Sequence, residues 1–80
     1  MAKVSKKTPE NIKRSIVKLA EMKPQELQDD VPMNEVAEDS LQAYEILLGL
    51  EESFDVCILD RDYWRAKTVG DVVNVVMNAR

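Results

Sequence analysis

The chain has 80 residues, of which 45% are hydrophobic and 32% charged, with a net charge of −4. That is the size of one small domain, with room for a few helices around one core but not for a deep catalytic cleft. Histidine is absent and Cys57 is the only cysteine, which excludes the commonest general base, an internal disulfide and the usual metal-ligand spacings.

The charge is uneven. Through Lys23, seven Lys or Arg stand against two Glu, a net of +5; from Pro24 onward, four stand against thirteen Asp or Glu, a net of −9. The acidic part argues against nucleic acid as a ligand, because phosphate backbones need a basic stripe. The basic N-terminal part reads as a solvated tail and helix face. No apolar run is long enough to span a bilayer and no apolar signal segment is present, so no membrane insertion and a cytoplasmic location are expected.

Residues 1–7 are polar and basic and are expected to form a frayed tail. Thr8 followed by Pro9 marks a helix start, a hydroxyl cap before a proline whose missing N–H costs nothing at the first position. Ile12, Ile16, Leu19 and Ala20 then recur at helical spacing, which predicts a helix from Pro9 to Glu21. Met22 to Glu38 reads as a long connection, because Pro24 and Pro32 interrupt any continuous helix. Leu27, Val31, Met33 and Val36 are placed to pin it to the core. A crossover that lets the next helix pack beside the first explains its length.

Asp39 is a good N-cap, and Gln42 three residues later completes a capping-box-like pattern. This predicts a helix from Ser40 to Phe54. Asp55 to Leu59 is a short apolar connection, with Cys57 between Val56 and Ile58 expected as a small buried hydrophobe. Asp60 to Arg65 gives one to two helical turns, with Asp60 as a candidate cap. Thr68 and Asp71 form another capping-box pattern and open a helix from Val69 to Asn78. Its valines favour strand by propensity, but their order does not alternate and no second strand exists to pair with it. The sum is an all-α single domain over residues 1–80, with three longer helices and one short one.

The helix from Ser40 carries two apolar groups. At roughly 100° per residue, Ala43, Ile46, Leu47, Leu50 and Phe54 form a core stripe. Leu41, Tyr44 and Leu48 form a second group, bordered by Glu45 and Glu52 on one side and Glu51 on the other. An apolar strip edged by carboxylates suits docking to a basic groove on a partner.

Asp39-Ser40-Leu41, followed by Glu45, by Glu51-Glu52 and by Phe54-Asp55, resembles the carrier-protein family of acyl, peptidyl and aminoacyl carriers. The resemblance covers most of the chain, from about Ile12 to the C-terminus. It implies a four-helix bundle of the acyl-carrier type with a long loop between helices 1 and 2. It also implies that Ser40 receives a 4′-phosphopantetheine arm from coenzyme A and that the arm holds substrate as a thioester. Asp39 and Leu41 flank the site, and Asp39 would help a phosphopantetheinyl transferase and its metal ion engage it. Tyr44, Glu45, Leu48, Glu51 and Glu52 would meet partner enzymes, acyl-transferring enzymes or synthases with basic docking patches. The resemblance makes the chain a carrier and not an enzyme, and a monomer fits it. An anionic phosphodiester on Ser40 is favoured by the helix N-terminus.

The chain departs from the family pattern at several points. Ala37 and Leu59 stand where many acyl carriers have glycine and proline. Tyr44 replaces a smaller aliphatic residue. Arg61, Arg65 and Lys67, with Trp64, occupy a segment that is usually acidic. Asp60-Arg61-Asp62-Tyr63-Trp64 is faintly similar to D-alanyl carriers, which generally have phenylalanine where this chain has Leu41. Trp64 is expected to be partly buried against the core. Fatty-acid, polyketide or related lipid synthesis, an aminoacyl, D-alanyl or peptidyl load, and an arm-free helical interaction module are the readings that remain. A hydrolase with Ser40 as nucleophile lacks a base.

Overall fold

In the computed structural model, which describes residues 6–23 and 27–79, the four expected helices are present and a fifth, of one turn, lies in the long connection. They are α1 (Pro9–Ala20), α2 (Met33–Val36), α3 (Ser40–Phe54), α4 (Asp60–Arg65) and α5 (Val69–Asn78). Residues 1–5 of the expected tail and the helix-breaking Pro24 lie outside the described residues. Within the tail, Lys6 and Lys7 are engaged. Asn11 Nδ2 donates to the Lys6 carbonyl at 2.9 Å, and Lys7 Nζ donates to the Ala79 carbonyl at 2.8 Å, joining the two ends of the chain.

Thr8 caps α1 as expected, its Oγ1 accepting from Asn11 N at 3.2 Å. The helix stops at Ala20, one residue short of the expected end, because Glu21 adopts the left-handed conformation (φ 56°). That turn lets Met22 N donate back to the Val17 carbonyl at 3.0 Å and satisfies a carbonyl that the helix end would orphan. Asp55 closes α3 in the same way (φ 52°), with Val56 N on the Glu51 carbonyl at 3.2 Å.

The core is drawn from every part of the chain. Ile12 and Ile16 of α1, Ile46, Leu47, Leu50 and Phe54 of α3, and Val69, Val72, Val73 and Val76 of α5 are all buried, and no polar or charged side chain among the described residues is buried with them. α1 packs against α3 and α5, and α4 against α5. The valines of α5 thus form the buried stripe of an amphipathic helix. Among the described residues no helix is long and apolar enough to cross a membrane.

The connection between α1 and α3 is held in two ways. Leu27 and Val36 are buried and Val31 and Met33 are partly buried against the core, as their positions suggested. The second hold is through backbone. Gly70 N donates to the Asp29 carbonyl at 2.8 Å, Val69 N to Val31 at 2.9 Å and Met33 N to Lys67 at 2.8 Å, around an antiparallel bridge between Pro32 and Thr68. A Cβ at Gly70 would lie 3.1 Å from the Asp29 carbonyl oxygen, so glycine is what permits this close approach.

Candidate functional site

Two reciprocal hydrogen bonds build the start of α3. Asp39 Oδ1 accepts from Gln42 N at 2.8 Å, and Gln42 Oε1 accepts from Glu38 N at 2.8 Å. In the usual capping box the second bond returns to the cap residue itself; here it reaches one residue further out. Behind this brace, Val36 and Ala37 are buried and anchor the incoming chain. Ala37 has φ −116° and ψ 120°. This is ordinary extended backbone, so the position needs no glycine.

Ser40 is the first residue of α3 and is exposed. Asp39 and Gln42 do the capping, and among the described residues no hydrogen bond occupies the Ser40 hydroxyl. Beyond the Asp39 cap the first turn carries no carboxylate, and its partial positive charge favours an anion on Ser40. A hydroxyl that is reachable, fixed by its neighbours and set at a helix N-terminus fits the attachment of a phosphodiester.

Beyond Ser40, the two apolar groups of α3 separate. Ile46, Leu47, Leu50 and Phe54 are buried, with Ala43 partly so. Leu41, Tyr44 and Leu48 are 67%, 43% and 46% exposed, which places them outside the core and not under the preceding connection. Glu45 and Glu52 are exposed beside them. Glu51 differs: its Oε2 accepts from Ile58 N at 2.9 Å, so this carboxylate ties the α3–α4 connection to α3.

Tyr63 is a site residue that the sequence did not single out. Its hydroxyl donates to the Ala43 carbonyl at 2.7 Å, pinning α4 to α3 about one turn beyond Ser40. Burial pushes its hydroxyl up from 10.0 to about 12. The available signal was a tyrosine on the inward side of a short helix, since a buried tyrosine hydroxyl requires a partner. Trp64 is half exposed and meets Tyr63 edge-on, with ring centroids 5.3 Å apart and planes at 77°.

Two expectations at α4 are corrected. Cys57 is exposed. Its neighbours take the inward places instead, Ile58 buried and Val56 partly buried against the core. The residue before α4 is Leu59, so Asp60 is not the cap but the first helical residue. There its carboxylate complements the helix dipole. Leu59 has φ −70°, the value a proline would impose, so this departure leaves the path of the chain unchanged.

Comparison with known proteins agrees with this geometry. A family model described as "Phosphopantetheine attachment site" matches residues 10–76. The chain is 31% identical over 68 residues to an acyl carrier protein of Wolinella succinogenes, a match covering 84% of this chain and 90% of the relative. It is 30% identical over 70 residues to an acyl carrier protein of Sulfurovum sp. strain NBC37-1, covering 86% and 93%. The chain belongs to the acyl carrier protein family, whose attached group is phosphopantetheine.

Proposed function

We propose that Ser40 is the attachment residue and that the chain is a single, non-catalytic carrier domain acting in the cytoplasm. It presents acyl groups to the enzymes of fatty-acid, polyketide or related lipid synthesis. The observation that carries this is the brace of Asp39, Gln42 and Glu38, which leaves Ser40 exposed at the start of a 15-residue helix. An acyl load, in preference to an aminoacyl one, is supported by two relatives that are both acyl carrier proteins.

In loading, Ser40 Oγ bonds to the phosphorus nearer the pantetheine of coenzyme A. The pyrophosphate bond breaks, 3′,5′-ADP departs, and the hydroxyl proton passes to a base on the transferase. The chain supplies no base, in keeping with its lack of histidine. Its task is to hold the hydroxyl still and recognisable. The arm, once attached, supplies a terminal thiol for thioester chemistry carried out by partner enzymes. Leu41, Tyr44 and Leu48 provide an apolar contact surface. Glu45 and Glu52 steer basic partners toward it, which favours fast encounter over tight binding. Glu51 contributes mainly by fixing the connection beneath that face.

The test is an intact-protein mass spectrum after incubation with coenzyme A, Mg²⁺ and a broad-specificity phosphopantetheinyl transferase. The parent chain should gain one phosphopantetheine and Ser40→Ala none. A folded parent that gains nothing would favour an arm-free interaction module built on the same α3 face.

A further inference from the structure

Residues 24–59 contain ten Asp or Glu and no Lys or Arg, whereas residues 60–67 contain three Lys or Arg against two Asp. The reversal falls on α4 and the residues just after it. Arg61, Arg65 and Lys67 are all exposed. The only ion pair among the described residues joins Lys13 to Asp29, so the three cations are not used to hold the fold by ion pairing. The two acids, Asp60 and Asp62, lie in the first turn of α4, where they complement the helix dipole.

The cations have apolar surface on both sides. At roughly 100° per residue, Arg61 and Arg65 share the outward side of α4. Trp64 flanks them on one side and is 50% exposed. On the other side, Leu59, 54% exposed, borders a mainly apolar groove of about 630 Å³ between α4 and α5, lined also by Asp62, Arg65, Asn74, Val75 and Ala79. A half-exposed indole on the same short helix as two exposed arginines is the composition of an interface anchor. Tryptophan and arginine dominate such sites, and arginine pairs with carboxylates in a fixed two-point geometry.

We infer that α4 is a second docking surface, opposite in charge to the α3 face, whose occupant is an acidic patch with an apolar slot on an enzyme that acts on the carried group. Arg61, Arg65 and Lys67 meet its carboxylates and Trp64 fills the slot. The Tyr63 hydroxyl on the Ala43 carbonyl fixes this surface relative to Ser40. A partner with a basic patch for α3 and an acidic patch for α4 is therefore held in one orientation, and a partner lacking the acidic patch is disfavoured. This rests on the carrier reading of Ser40.

The test places a photo-crosslinking benzoylphenylalanine at Trp64 of the full chain in its native host cells, with the crosslinked peptide mapped on the captured enzyme. An acidic surface is expected at the crosslink. The triple reversal Arg61→Glu, Arg65→Glu, Lys67→Glu should weaken binding of that enzyme by about tenfold or more. Replacing the partner's mapped Asp and Glu with Lys should restore binding to the triple variant. Trp64→Ala, which removes an exposed side chain, should weaken binding by a similar factor without unfolding. A crosslink to a basic or uncharged surface, to a second copy of this chain, to lipid or nucleic acid, or no crosslink, would overturn the inference, as would reversal without loss of binding. Loading of the parent chain at Ser40 is measured alongside. A loaded parent with a failed α4 test sinks only this inference, and an unloaded parent sinks the carrier reading and this inference with it.

Discussion

The entries to α3 and α5 use the same capping chemistry to opposite ends. At α5, Thr68 Oγ1 accepts from Asp71 N at 3.2 Å, while Asp71 Oδ2 accepts from Thr68 N at 3.3 Å and Lys67 N at 3.1 Å. The box closes on itself, and the first helical residue, Val69, is fully buried. At α3 the return bond is displaced by one residue to Glu38 N, and the first helical residue, Ser40, is exposed. One entry locks the fold and the other displays a hydroxyl. A cap identifies a helix start in either case; the residue after the cap decides whether that start is structural or functional.

The contrast is sharpest at the first helical positions. Ser40→Ala should abolish loading completely while changing stability by less than about 0.5 kcal/mol, as expected of an exposed site. Val69→Ala should do the reverse, lowering stability by about 2 kcal/mol through lost burial and a residual cavity, with loading intact in the folded fraction. Chemical denaturation and the mass assay, run on both variants, check this. A large stability loss in Ser40→Ala would erase the distinction.

Next in size is the tie between the connection and α5. Gly70→Ala should lower stability by about 1–2 kcal/mol, because the Asp29 carbonyl that the new methyl meets is backbone and cannot swing away. Gly49→Ala, whose new methyl would meet only the flexible end of the Leu19 side chain, should be much milder. Equal losses in thermal melts of the two variants would contradict this reading.

The caps themselves should be matched in stability and unmatched in function. Asp39→Ala and Thr68→Ala should each lower stability by about 1 kcal/mol, but only Asp39→Ala should slow transferase loading. Equal loading rates for the two would show that the brace around Ser40 has no functional role.

The smallest effects separate the sites by pH. Hydrogen bonds from Lys67 N and Thr68 N hold the Asp71 carboxyl below its ordinary value. The unfolded chain therefore takes up that proton first as the solution is acidified. Stability from this group is complete above the ordinary carboxylate value and is lost as pH falls through the lowered one. Asp71→Asn should flatten that acid limb in denaturation curves collected across pH. Tyr63 acts at the other extreme. Its hydroxyl is pushed up to about 12, so the unfolded chain releases that proton first, and stability falls as pH rises from 10 toward 12. Tyr63→Phe should lower stability by about 1 kcal/mol near neutrality and remove this alkaline loss.

The three longer helices were legible because each carries a side-chain cap, whereas α4 falls over the expected residues although its cap, Leu59, makes no side-chain bond. Asp39 with Gln42, Thr8 with Pro9, and Thr68 with Asp71 mark three starts, and all three fall where expected. α2 escapes a reading of the sequence because Pro32 offers no side-chain cap and the helix has only four residues. Its first amide is satisfied by Lys67, far away in sequence, and no local pattern reports such a bond. Glu21 reads as helical because left-handed termination is normally signalled by glycine or asparagine. The motif around Ser40 and the exposed strip beside it were legible because both are local to one helix. The role of Glu51 in holding Ile58, and of Tyr63 in holding Ala43, depends on how separate segments meet, which periodicity does not encode.

The three backbone bonds between residues 67–70 and residues 29–33 join segments that are distant in the chain. Each segment offers the other what an edge strand offers a neighbour, so neither keeps its amides shielded alone. The amides of Met33, Val69 and Gly70 should therefore open as one cooperative unit in native-state hydrogen exchange. The run of chain that delivers Asp39 and Ser40 is then only as ordered as the start of α5, and a fragment ending before residue 67 would lose the approach to its serine while keeping the serine itself.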